Sequence, residues 1–196
     1  MLNQAPTSEN ILDMIEAIFT LHGADSYLGE EVTMAQHMLQ AAWLGEQQGE
    51  NEAVVLAALL HDVGHYANKL PPEVLMSGTD NRHQESAASW LAEFFPAGII
   101  EPIRLHVAAK RYLVTVDPDY RSQLSQASID SLALQGGDMS AEEVAVMEAN
   151  PYLDMAIRVR RLDDQGKDPE LATPDFGYFK PRLARWLMPS AREAES

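Results

Sequence analysis

Apolar residues along the chain recur mostly at helical spacing. Ile11, Met14, Ile15, Ile18 and Phe19 share one face of a helix that Ser8 or Asn10 is placed to cap, with Gly23 as its stop. Ala35, Met38, Leu39, Ala42 and Trp43 repeat the pattern, and that stretch runs out near Gly49. The run from Ala53 to Leu60, AVVLAALL, is apolar on every side. So short a run also suits a buried strand, but its alanines and leucines, and its continuation into HDVGHYANKL, predict a buried helix. Pro71, Pro72 and the stretch from Gly78 to Asn81 predict a loop of about 15 residues, longer than most connections. Helical spacing returns over Glu85–Phe95, Ile99–Ala109, Ser122–Leu134, Pro151–Leu162 and Lys180–Leu187. Gly136 and Gly137 interrupt it, and the sequence SAEE from Ser140 is a capping signature for one more helix. Only RYLVTVDPDY alternates enough to suggest a short strand, and Pro118 limits it. The expectation is an all-α fold, a helical bundle in one domain over residues 1–196, with no repeat and no linker.

Composition narrows what such a bundle can do. At 196 residues, 46% of them apolar, the chain has enough material for one real core. Its 30 Asp and Glu against 14 Lys and Arg give a net charge of −16. That balance argues against a nucleic-acid partner, which needs basic patches to neutralise phosphates, and against docking on an anionic membrane. No apolar run reaches the ~18 residues of a membrane span. The first residues have neither the basic nor the apolar part of a leader, so the expected location is cytoplasmic. The absence of cysteine excludes disulfides, thiolate-ligated metals and cysteine nucleophiles.

Chemistry concentrates in the histidines: His22, His37, His61, His65, His83 and His106. A single histidine in a helical pattern is ordinarily structural. His61 and Asp62, however, follow a fully apolar helix that carries them into the interior, where a carboxylate needs a cation beside it. His65 lies four residues on, near the same helical face. A buried metal site is the expectation.

HDVGH, with His37 upstream and His83 and His106 downstream, resembles the HD-domain superfamily, which is all-α and binds one or two divalent metals. The resemblance implies a closing aspartate in a late helix. Asp163 is the candidate, and spacing alone does not separate it from Asp164. His83 and His106 add enough ligands for a second ion, with Asp62 as the bridge. Imidazole and carboxylate suit iron, manganese or zinc.

Further strings narrow the resemblance. SYLGE from Ser26, HVAAKRYL from His106 and LSQASIDSLALQGG from Leu124, with NEAVVLAALLHDVGHY, are similar to the HD-domain mixed-valent di-iron oxygenases that cleave 1-hydroxyphosphonates, over about residues 27–167. That likeness implies an Fe(II)/Fe(III) pair, with one iron on His37, His61, Asp62 and Asp163 and the second on Asp62, His83 and His106. It implies Tyr27 as a ligand of the second iron that leaves when substrate arrives, and Glu30 as the partner of a cationic substrate nitrogen. It implies His65, Lys110, Ser128, Ser131 and Arg160 as phosphonate contacts, dioxygen as co-substrate, and a small phosphonate as substrate. Residue by residue, each of these has a plain structural alternative: Lys110 as a surface lysine, Arg160 as an ion-pair member with Arg158 and Arg161 as rivals, and Glu30 as a helix-start carboxylate. Of the four lysines (Lys69, Lys110, Lys167 and Lys180), Lys110 is the local cation that would admit an anion against the chain's own field.

The implied products are phosphate and a carboxylic acid. (R)-1-hydroxy-2-(trimethylammonio)ethylphosphonate would give glycine betaine and 2-amino-1-hydroxyethylphosphonate would give glycine; overall likeness favours the trimethylated compound. A metal-dependent phosphohydrolase and a non-catalytic ligand-binding module are the competing expectations.

Overall fold

The computed structural model describes residues 5–22, 27, 30–67 and 82–189. Gly23 and the stretch from Pro71 to Asn81 lie outside them. The helices are α1 (Ile11–Ala17, running into a π-helical turn over Ile18–His22), α2 (Met34–Gln47), α3 (Glu52–Leu60), α4 (Gly64–Ala67) and α5 (His83–Leu91). They continue as α6 (Ala97–Val116), α7 (Gln126–Leu134), α8 (Ala141–Glu148), α9 (Leu153–Gln165) and α10 (Phe176–Trp186). Among the described residues there is no strand, and no helix is long and apolar enough to cross a membrane.

Helix α3 is the axis of the core. Every residue from Val54 to Leu60 is buried, as a segment apolar on all sides requires. Burying each of its valines and leucines is worth about 1.5–3 kcal/mol, so the hydrophobic term fixes this helix at the centre. Helices α2, α6 and α9 pack around it, and α9 also lies against α2 and α6. Side-chain caps set where the elements begin. Thr33 and Gln36 form a reciprocal capping box one turn before His37, Asn51 caps α3, and Ser140 and Glu143 form the box that SAEE announces.

Two expectations are corrected. RYLVTV is the last part of α6, not a strand. Its Leu113 and Val114 pack with Tyr120, Leu124 and Leu132 into a second small core, and that packing overrides the local alternation. The helix expected from Ser122 begins instead at Gln126, after a 3₁₀ turn over Tyr120–Gln123, because Ser125 is the residue whose hydroxyl caps it by accepting from the Ser128 amide. Gly136 and Gly137 both take positive φ, 103° and 66°, and end α7 as their spacing predicts.

One close approach shapes the region that follows α3. A Cβ on Gly64 would lie 1.9 Å from the His83 carbonyl oxygen and 2.6 Å from the Ala87 nitrogen. Only glycine lets α4 rest on the start of α5, and that contact brings His65 beside His83.

Candidate metal centre

The buried polar residues are the clearest record of function in this fold. Apart from Gln40, every buried polar or charged side chain among the described residues is one that the sequence singles out: His37, His61, Asp62, His65, His83, His106, Lys110, Ser128, Arg160 and Asp163. Charged groups are almost never fully buried unless paired, so their gathering in one place demands a common cause. Different elements deliver them. His37 comes from α2, His61 and Asp62 from the end of α3, His65 from α4 and His83 from the first position of α5. His106 and Lys110, four apart, share a face of α6, while α9 supplies Arg160 and Asp163.

The imidazoles are oriented by their backbones. His37 Nδ1 lies 2.8 Å from the Gly166 carbonyl, His61 Nδ1 2.7 Å from that of Ala58, and His106 Nδ1 2.7 Å from that of Ile103. A carbonyl only accepts, so each Nδ1 carries the proton and each Nε2 is left to face inward. There the nitrogens meet in pairs. His37 Nε2 is 3.1 Å from His61 Nε2, and His83 Nε2 is 3.1 Å from His106 Nε2. Asp62 joins the pairs, with Oδ2 3.3 Å from His61 Nε2 and 3.7 Å from His37 Nε2. Its Oδ1 lies 3.2 Å from His83 Nε2 and 3.7 Å from His106 Nε2. Asp163 turns Oδ1 to 3.4 Å from His37 Nε2, and that oxygen is buried without a hydrogen-bond partner.

Two acceptor sets thus converge, His37–His61–Asp62 and Asp62–His83–His106, and each needs a cation at its middle. Burial pulls the His61 imidazole down, but the Asp62 charge overrides it and lifts the group to about 9. Asp62 itself is raised by burial and carried well below the carboxylate range by His61 and His83. At the other pair, burial and then the His61 and His83 charges push His106 well below its ordinary value. A proton on His61 satisfies neither the orphaned Asp163 oxygen nor the His83–His106 pair, whereas divalent ions fit both sets. Nitrogen and oxygen donors, with three of the four histidines held by a carbonyl behind the ring, are the chemistry of iron, manganese or zinc sites.

Above the two sets lies a cavity with about 60 Å³ of room for the centres of water-sized spheres, lined by Tyr27, Glu30, Lys110, Ser128, Ser131, Arg160 and Lys167 among others. At ~10–15 Å³ per water that is space for a few waters or one small molecule. Its walls carry both signs, Lys110, Arg160 and Lys167 against Glu30, Asp62 and Asp163. Lys110 Nζ donates to Ser131 Oγ at 2.8 Å and to the Ser128 carbonyl at 3.4 Å. Burial, then the Arg160 charge, lowers Lys110 to about 7. Arg160 is fixed on three sides, by Asp163 Oδ2 at 2.7 Å, by Asp164, and by Tyr120 Oη at 3.1 Å from its Nε. Burial, then the charge of the neighbouring His83, takes His65 down to about 3, so this ring is neutral; it stacks on His83 with centroids 4.2 Å apart. Tyr27 stacks on His37 at 3.9 Å, and burial and then the Asp163 and Asp62 charges keep it a phenol.

Position separates the residues that spacing leaves together. Asp163 faces the histidines, while Asp164 grips Arg160 and accepts from the Tyr120 hydroxyl. Arg158 pairs with Glu50 and Asp154 on the surface, and Arg161 with Asp117; Arg160 alone of the three is buried. Sequence reasoning missed Asp164 and Tyr120 as the holders of Arg160, and it missed Lys167. This second lysine of the cavity reaches Glu30 Oε1 and Ser128 Oγ, each at 3.0 Å. Its one signal is its spacing of four and seven residues from Asp163 and Arg160.

Comparison with known proteins agrees with this geometry. The HD domain pattern matches residues 34–149. The chain is 48% identical over 178 residues to the glycine-betaine-forming [1-hydroxy-2-(trimethylamino)ethyl]phosphonate dioxygenase of Leisingera caerulea, covering 91% of each protein. It is 40% identical over 171 residues to the hydroxymethylphosphonate dioxygenase of Gimesia maris, covering 85% of each. An uncharacterized protein of Acanthamoeba polyphaga mimivirus is 34% identical over 187 residues, 93% of this chain.

Proposed function

The chain belongs to the HD-domain family, among its phosphonate dioxygenases, and we propose that it converts (R)-1-hydroxy-2-(trimethylammonio)ethylphosphonate and dioxygen to glycine betaine and phosphate, in phosphonate catabolism. The observation that carries this reading is the position of Asp62, one carboxylate between two imidazole pairs at the floor of a small cavity that Lys110, Arg160 and Lys167 help to line. Likeness to the betaine-forming enzyme supports the choice of substrate.

His37, His61, Asp62 and Asp163 would hold one iron, and Asp62, His83 and His106 the other. So held, an Fe(II)/Fe(III) pair would supply the redox equivalents that dioxygen needs to attack a carbon–hydrogen bond. The balance is simple: R–CH(OH)–PO₃²⁻ plus O₂ gives R–COOH plus HPO₄²⁻. C1 loses its hydrogen, the carbon–phosphorus bond breaks, and each product gains one oxygen atom.

The chain's own side chains do the rest. Lys110, Arg160, Ser128 and Ser131 donate to the phosphonate, and charge-assisted donors of this kind bind a compact anion strongly. Asp164 and Tyr120 hold the Arg160 guanidinium in place, so no rotamer freedom is lost when the anion arrives. His65, neutral, is a hydrogen-bond partner that leaves the charge balance unchanged. Lys110 sits near neutrality and can protonate the departing phosphate. Glu30 and the Tyr27 ring meet the trimethylammonium end, which has no N–H and takes carboxylate and aromatic surroundings. Tyr27, stacked on His37, stands guard over the pair until substrate displaces it.

The test is incubation of the iron-loaded protein in air with the trimethylammonio, amino and hydroxymethyl compounds. Phosphate and glycine betaine in equal amounts from the first is the expected result. Phosphate from none of them would overturn the proposal.

A further inference from the structure

Glu30 is not waiting empty for a cation. Its Oε1 accepts from Lys167 Nζ at 3.0 Å and from Ser125 Oγ at 2.6 Å. Lys167 Nζ also donates to Ser125 Oγ at 3.1 Å and Ser128 Oγ at 3.0 Å, and lies 5.7 Å from the centre of the Tyr27 ring. Carboxylate and aromatic face, the surroundings that suit a quaternary ammonium, are therefore already filled by an ammonium of the protein's own. Both partners are largely shielded, with Glu30 16% and Lys167 12% exposed, so neither charge is compensated by water alone.

From this geometry, and resting on the function proposed above, we propose that Lys167 is the specificity-determining residue for the substrate's head group: its ammonium occupies the cation place on Glu30, and a substrate must bring its own cation to displace it. Glu30 Oε1 already carries Lys167 and Ser125, so a substrate cation brought to that oxygen meets the Lys167 charge as a repulsion. A zwitterionic substrate takes Glu30 and releases Lys167, whose Nζ is already within hydrogen-bond distance of Ser128 Oγ, at the phosphonate end. The released lysine thereby gains the phosphonate as its new counter-ion. A phosphonate with an uncharged head, such as hydroxymethylphosphonate, leaves the Lys167–Glu30 pair closed. It needs that pair closed, because an uncompensated Glu30 would face an anion.

Calorimetry on the iron-loaded protein tests this with two ligands that lack the C1 hydroxyl and do not react, 2-(trimethylammonio)ethylphosphonate and methylphosphonate. In Lys167→Met the affinity ratio of the first to the second is expected to rise at least tenfold: methylphosphonate weakens against an uncompensated Glu30, while the cationic ligand trades its lysine–phosphonate contact for an open Glu30. Lys167→Arg keeps a cation on Glu30 and should stay within twofold of the wild-type ratio. In a Glu30→Gln background, Lys167→Met should move the ratio by less than twofold. If Lys167→Met does not fold, Glu30→Gln carries the test, with the cationic ligand weakened at least tenfold and methylphosphonate unchanged or tighter. A wild type that binds both ligands while Lys167→Met leaves the ratio unmoved, or shifts it toward methylphosphonate, would overturn the inference alone. A wild type that binds neither ligand and releases no phosphate from the hydroxylated compounds would overturn the functional proposal and the inference with it.

Discussion

The Nε2 atoms of His37 and His61 face each other at 3.1 Å, with the Nδ1–H of each ring held by a backbone carbonyl. Two inward-facing acceptors at that distance repel unless a cation lies between them. His83 Nε2 and His106 Nε2 also meet at 3.1 Å, with the His106 Nδ1–H held by the Ile103 carbonyl, and Asp62 belongs to both pairs.

Metal removal is therefore expected to cost stability as well as activity. Ions that bind only the folded chain stabilise it by about 2.7 kcal/mol at a hundred times their dissociation constant. For a chain of this size that corresponds to roughly 5–10 °C in Tm. Thermal melts before and after chelation, with elemental analysis, should show that shift and close to two irons per chain.

Asp163 and Asp164, adjacent in sequence, should fail in different ways. Asp163→Asn is expected to lower iron content by at least tenfold in affinity, since it removes a carboxylate charge from the His37–His61 set. Asp164→Asn should keep its iron and lose about 10–100-fold in kcat/KM, chiefly through KM, because it releases Arg160. Iron analysis of both purified variants, alongside steady-state kinetics, separates the two roles.

Lys110 predicts a pH dependence. Burial and the Arg160 charge depress its pKa to about 7, and it binds the phosphonate only while protonated. Bound metal cations push in the same downward direction. So kcat/KM should fall about tenfold per pH unit above an apparent pKa at or below 7, as Lys110 loses its proton. Lys110→Met should lower kcat/KM by about 10–150-fold, the worth of a charge-assisted hydrogen bond, and abolish that part of the alkaline limb.

Tyr27 packs on His37 and lines the cavity, so it is expected to restrain oxygen chemistry until substrate binds. Tyr27→Phe should raise oxygen consumption without substrate several-fold, measured with an oxygen electrode. Uptake equal to that of the wild type would remove this role.

What the sequence makes legible follows physical lines. His61 and Asp62 stand out because a polar pair after an apolar run has to be explained, whereas His37, His83, His106, Asp163, Lys110 and Arg160 are reached only through the family resemblance, since each also reads as an ordinary structural residue. The AVVLAALL helix is legible too, since nothing but a core accepts it. Tertiary partnerships are not. RYLVTV reads as a strand because Leu113 and Val114 find their partners at Tyr120, Leu124 and Leu132, which no local window reveals. Lys167 and Glu30 meet across 137 residues, and Asp164 and Tyr120 across 44, with no spacing rule to join them. Gly64 looks like one glycine of an HDVGH motif until the His83 carbonyl is seen against it.

The central claim is that the two imidazole pairs around Asp62 serve an oxygen-dependent cleavage of a carbon–phosphorus bond. The most direct measurement follows phosphate release and oxygen uptake together, with 1-hydroxy-2-(trimethylammonio)ethylphosphonate and the iron-loaded protein, in air and under strict anaerobiosis. One phosphate per dioxygen consumed, with no turnover in the absence of oxygen, is the predicted result. Sustained phosphate release under anaerobiosis would contradict it and make the site a hydrolase.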